Sequence, residues 1–103
     1  MYYAEKDLKK ENEASAYIFS RPFKYYVYIL VEPETLEPIY VGKGTGCRCF
    51  VHWYNEDTNT YKWRKLRLIE KKYGYIMYSI VKFFNNEQEA YKFETEVQKY
   101  YGL

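Results

Sequence analysis

The chain of 103 residues has two cysteines, one histidine, three prolines and no long apolar run. Each scarcity excludes something. Cys47 and Cys49 stand one residue apart, which suits neither a disulfide staple nor a paired-thiol redox motif. One histidine and two cysteines do not readily close a structural zinc site. Free thiols favour a reducing compartment. No N-terminal stretch has the apolar core of a signal peptide, and no run approaches a membrane span, so the expectation is a cytoplasmic protein with no membrane partner. Low-complexity tracts are also absent, which argues against disorder. The length suits one small domain and not two.

Tyrosine is what the chain has in excess, with 15 copies in a composition that is 48% apolar. A tyrosine buries an apolar ring but keeps a hydroxyl that needs a partner, a useful filler for a thin core. Net charge is only +2, yet it is unevenly spread. Residues 43–82 hold nine Lys or Arg against three Asp or Glu, and the rest hold seven against eleven. Such segregation presents a basic face to a polyanion, or simply a solvated, lysine-rich helix.

Residues 1–22 read as an N-terminal extension, with an amphipathic or frayed helix over 5–16 before Pro22. Residues 25–31 alternate and are rich in Tyr, Val and Ile, which predicts a strand. Tyr26, Tyr28 and Leu30 share one face of it, and Val27, Ile29 and Val31 the other. A Pro-bounded loop over 32–38 leads to a second strand at 39–42, ended by Gly42 and Gly44. A helix over 46–54 carries the apolar stripe Cys47, Phe50, Val51 and Tyr54. Arg48 and His52, four residues apart, lie on its flank. After a loop at 55–59, a basic helix over 60–72 turns Trp63, Leu66 and Ile69 inward and stops at Gly74. Residues 75–84 form a third strand. Asn86 caps the last helix, with Glu89 at the reciprocal capping position. The expected fold is α/β in the α+β sense: a small three-stranded antiparallel sheet flanked by helices, in the order β-β-α-α-β-α, over 23–103.

Several residues carry possible chemistry, each with a plainer reading beside it. On the last helix Ala90, Phe93, Val97 and Tyr101 make an apolar stripe, and Glu94 falls inside it. A carboxylate there is costly unless it is paired or holds a cation; a salt bridge is the plain alternative. Tyr28 and Tyr40 are ordinary strand aromatics taken singly. Together, next to the tight backbone of Gly42-Lys43-Gly44, they are candidates for proton transfer, provided a cation or hydrogen bonds lower their pKa from about 10. Arg48 offers a fork of donors to a phosphate, and His52 beside it could relay a proton or be a simple surface residue. Lys43 is a candidate phosphate anchor, although its glycines do not form a Walker loop.

Taken in order, Tyr26-Val27-Tyr28, Tyr40-Val41-Gly42-Lys43-Gly44, Arg48, His52 and Glu94 resemble the GIY-YIG nuclease family, over about residues 25–102. Tyrosine replaces the leading glycine of the first signature and valine the isoleucine of the second. The resemblance implies a divalent-metal-dependent DNA endonuclease. Glu94 would hold a single Mg²⁺ or Mn²⁺. Tyr28 is favoured as base and Tyr40 as the phosphate-side hydrogen-bonder. Arg48 would stabilise the charged transition state, and His52 and Lys43 would assist. Lys62, Arg64, Lys65 and Arg67 would contact the backbone of duplex or branched DNA together with Lys43 and Arg48. The implied protein is a monomer or weak dimer, a minimal nuclease or a catalytic domain that relies on a separate targeting domain or partner. A non-catalytic module that stacks aromatics on nucleic acid is the alternative.

Overall fold

The computed structural model describes residues 2–46, 49 and 61–103, with the side chains of 61–63 excepted. Three strands, β1 (Tyr25–Val31), β2 (Pro38–Gly44) and β3 (Met77–Phe84), form one antiparallel sheet in the order β2-β1-β3. Three helices accompany them: α1 (Glu11–Phe19), α2 (Tyr61–Tyr73) and α3 (Glu87–Tyr101). The α+β architecture read from the sequence is therefore the observed one. The helix expected over 46–54 lies outside the described residues except at Gly46 and Cys49.

β1 is central because it is apolar on both faces. Tyr26, Tyr28 and Leu30 belong to one core, with Ile39, Leu66, Ile69 and Tyr78, and α1 adds Ala14 and Ile18 to it. Val27, Ile29 and Val31 belong to the other, with Val41, Phe84, Ala90 and Val97. So α1 and α2 cover the tyrosine face and α3 covers the valine face. The alternation read along residues 25–31 places each side chain on its observed face.

The N-terminal segment departs from expectation. Instead of one helix over 5–16 there is a 3₁₀ turn, Glu5–Asp7, followed by an extended break and then α1. The cause is sheet pairing. Lys9 exchanges both backbone hydrogen bonds with Tyr78, at 2.8 Å each, and thereby continues the sheet beyond β3. The helix restarts at Glu11, where the Glu13 carboxylate accepts from the Lys10 N–H at 3.0 Å.

β2 runs through Gly42 and Gly44 rather than ending at the first. α3 starts as its sequence predicts: the Asn86 side-chain oxygen accepts from the Gln88 and Glu89 N–H groups, at 2.8 and 3.2 Å. Among the described residues no helix is long and apolar enough to cross a membrane.

Candidate active site

Pairing of β1 with β2 sets the site. Tyr28 lies opposite Gly42 and Leu30 opposite Tyr40, so both tyrosines rise from the same face. Their ring centroids are 6.0 Å apart. Gly42 makes this possible. A Cβ there would stand 2.7 Å from the Tyr28 hydroxyl and 2.8 Å from a ring carbon of Tyr40. Gly44 does the same for Tyr26, whose ring would meet a Cβ at 2.6 Å. Two glycines on alternate positions of one strand thus let two neighbouring tyrosines lie across it.

The Tyr26 hydroxyl then donates to the Gly46 carbonyl and accepts from the Cys49 N–H at 3.3 Å. This ties the chain beyond β2 to the central strand. Cys49 is fully buried in the same core. The predicted stripe through Cys47 left it out, and the remainder of that stripe lies outside the described residues.

Glu94 approaches from α3, around the open edge of β2. Its half-buried carboxylate lies near the Lys43 backbone N–H, which favours its charged form. One turn later, the Gln98 side-chain amide donates to the Val41 carbonyl at 3.1 Å. Both strand groups face away from β1; Gln98 satisfies the carbonyl, and Glu94 lies beside the N–H, at the edge that the sheet leaves unpaired. Burial raises the Glu94 pKa, against the opposing pull of the Lys43 N–H and ammonium.

The tyrosines are raised as well. For Tyr28, which is buried, the leading cause is desolvation, followed by the proximity of Tyr40, Cys49, Tyr26 and Glu94. Tyr40 is half-buried; desolvation and then Glu94 push it up, while a hydrogen bond from Tyr28 pulls it down. As they stand, both phenols are neutral hydrogen-bonding groups at neutral pH.

Lys43 sends its side chain to the other face. The ammonium pairs with Glu87 at 3.0 Å, lies 4.2 Å from the Tyr91 ring centroid and 5.4 Å from that of Tyr25, and is only 10% exposed. Burial lowers its pKa, but the hydrogen bonds to Glu87 and Tyr91 outweigh that and leave it raised. The structure therefore brings Tyr28, Tyr40 and Glu94 together, while the Lys43 ammonium pairs with Glu87 on the other face. Arg48 and His52 lie outside the described residues.

Of the basic helix residues, Arg64 and Arg67 are exposed on α2, and Lys65 pairs with Glu37 at 3.4 Å. Lys62 is on α2, with its side chain outside the described set. Leu66 and Ile69 seat this helix on the tyrosine face, as their spacing predicts.

Mg²⁺ and Mn²⁺ favour oxygen ligands, and Mg²⁺ keeps several waters while taking one or two carboxylates plus substrate phosphate. A half-buried glutamate beside two phenolic oxygens fits that demand. Among the described residues no three His, Cys, Asp or Glu side chains converge, so a cation here would rely on water and substrate for its remaining ligands. Gln98 is the residue that sequence reasoning missed, although it lies four residues after Glu94 on the same helical flank. No protein-family model matches the chain, and no curated protein or solved structure does.

Proposed function

We propose that the chain is a divalent-metal-dependent DNA endonuclease of the GIY-YIG kind. The observation that carries this reading is the gathering of Tyr28, Tyr40 and Glu94, from three separate elements, beside Gly42 on β2. A structural glutamate alone does not account for two hydroxyls beside it.

In this reading Glu94 holds the cation, and the Lys43 N–H orients its carboxylate. The cation, when bound, supplies positive charge to the scissile phosphate and lowers the pKa of nearby hydroxyls. Burial favours an exchange of the tyrosine roles expected from the family. Tyr40 is the more exposed of the two, and the neighbouring Tyr28 hydroxyl favours its phenolate, so it is the better proton acceptor for an attacking water. Tyr28 positions Tyr40 and stabilises its phenolate. Arg48 is assigned to the transition-state charge and His52 to proton relay, on the resemblance alone. Arg64, Lys65 and Arg67, with Lys62, present charge to the DNA backbone from a helix on the tyrosine face. The ammonium of Lys43 serves the packing of α3 against β2.

The test is nicking of supercoiled plasmid with Mg²⁺ or Mn²⁺, comparing wild type, Glu94→Ala and an EDTA control. Cleavage that requires both metal and Glu94 supports the proposal. A folded wild type that binds DNA but cleaves nothing with either metal favours the binding-module reading instead.

A further inference from the structure

The open edge of β3 carries a second set of features, with Ser79 on the valine face opposite Ile29 and Tyr17 on the tyrosine face. Between the N-terminal segment and β3 lies a cavity of about 240 Å³, with Asp7, Lys9, Tyr17 and Ser79 in its wall. Ser79 is 2% exposed and, tyrosines and cysteine aside, is the one polar side chain in the buried set of described residues. Among those residues nothing hydrogen-bonds its hydroxyl. A buried hydroxyl without a partner is costly, so this cavity calls for a polar atom from elsewhere. A bulge shapes the wall. The register of β3 on β1 skips Val81, passing from Lys82 opposite Val27 to Ile80 opposite Tyr28. Bulges of this sort re-aim side chains at the edges of sheets.

Tyr17 is shared between the cavity and an aromatic ledge outside it. Its ring meets Phe83 at 5.5 Å, and Phe23 stacks on the same Phe83 at 5.8 Å with an interplanar angle of 28°. Phe23 is 41% exposed. The Arg21 guanidinium and the Lys9 ammonium each lie 4.8 Å from the Tyr17 ring centroid. Residues 14–31 include no Asp or Glu, whereas Arg21 and Lys24 are exposed there. Ring contacts continue inward from Phe83 to Tyr26, Tyr28 and Tyr40, so ledge and candidate active site share one face.

Flat apolar rings bordered by cations match the chemistry of a single nucleic-acid strand, whose bases stack while its phosphates pair with Arg and Lys. A paired duplex offers no free base to such a surface. The cavity adds hydrogen bonding: Asp7 is an acceptor, and Ser79 can donate or accept. We propose that this edge binds a single-stranded segment that passes round it, with one unstacked base in the Ser79 cavity, a further base on Phe23, and Arg21 and Lys9 on the phosphates. As an account of substrate the proposal rests on the nuclease reading, and it assigns that enzyme a target with an unpaired stretch.

Fluorescence anisotropy in EDTA, with a labelled oligothymidine and a duplex of equal length, tests it on wild type, Phe23→Ala and Ser79→Ala. Phe23→Ala weakens single-strand binding about tenfold, and Ser79→Ala about fivefold. Both leave duplex binding unchanged. Phe23 is exposed and Ser79→Ala removes an unpartnered hydroxyl, so both variants keep the wild-type unfolding midpoint. Single-strand affinity equal to wild type in both variants overturns the proposal. So does equal weakening for the two DNAs, or a wild type with no single-strand affinity, which would leave the ledge to a protein partner. A wild type that binds single strands through Phe23 and Ser79 yet never nicks with either metal keeps this proposal and sinks the nuclease reading.

Discussion

Glu94 and Gln98, one turn apart on α3, grip the same open edge of β2. The first sits beside the Lys43 N–H, and the second donates to the Val41 carbonyl at 3.1 Å. This pairing makes Glu94 a structural residue as well as a candidate ligand, and variants separate the two roles. Glu94→Gln keeps an oxygen for the Lys43 N–H and removes the charge. It should unfold at or above the wild-type denaturant midpoint while losing metal-dependent nicking. Unchanged nicking in this variant would exclude Glu94 as the cation's ligand.

The same variant carries a pH signature. The Glu94 pKa in the folded chain is raised from its ordinary 4.5, chiefly by burial. A raised carboxylate means that the folded state holds its proton longer than the unfolded state. Its stabilising contribution is complete below the unfolded pKa and is lost as pH rises through the folded one. Wild type should therefore lose stability relative to Glu94→Gln between about pH 4 and neutrality. Urea unfolding of both proteins across that range measures the difference; a constant gap would show that the carboxylate is not desolvated.

Gly42→Ala should disturb the two tyrosines at once. The added methyl meets the Tyr28 hydroxyl and the Tyr40 ring below 3 Å, closer than real contacts permit. Overpacking of this sort costs about 1–3 kcal/mol. Thermal unfolding should show the loss, and nicking should fall more than the lost stability explains. An unaltered midpoint would mean that the rings have room to move aside.

Tyr40→Phe should lower nicking about a hundredfold or more, the usual worth of a positioned proton acceptor. Tyr28→Phe should be milder and should move the ascending limb of the pH–rate profile to higher pH, because Tyr40 loses the neighbouring hydroxyl that lowers its pKa. An unshifted limb in Tyr28→Phe, or a larger defect there than in Tyr40→Phe, would restore Tyr28 as the base.

Lys43→Met should leave the nicking rate close to wild type, since the ammonium lies on the opposite face with Glu87 and Tyr91. Its cost is in stability, about 1 kcal/mol for a cation over an aromatic ring with a partly exposed ion pair. A severe loss of nicking at wild-type stability would return the ammonium to the phosphate.

The sheet was legible because its signal is local. Tyr25–Val31 alternates with apolar residues on both faces, and that pattern suits only a central strand. Asn86 announces α3 through a hydrogen bond within its own turn. The company of Tyr28 and Tyr40 was legible for a similar reason, since hairpin pairing fixes it. Where an interaction spans distant parts of the chain, the sequence was silent. Nothing near Lys9 indicates that Tyr78 will pull it out of a helix. Lys43 looked like an anchor beside Tyr40, but strand alternation sends it to the other face, where Glu87 and Tyr91 from α3 receive it. Gln98 reads as an ordinary surface residue until the edge of β2 is seen beside it.

That edge has a consequence for the protein in a crowded solution. An open strand invites the strand of another molecule, and from there sheets grow into aggregates. On β2 the outward carbonyl of Val41 is bonded to Gln98, and Glu94 covers the outward N–H of Lys43 beside it. A doubly substituted chain, Glu94→Ala with Gln98→Ala, would present both groups at once. Its hazard would be self-assembly through β2, visible as a concentration-dependent rise in light scattering under conditions where the wild type stays clear.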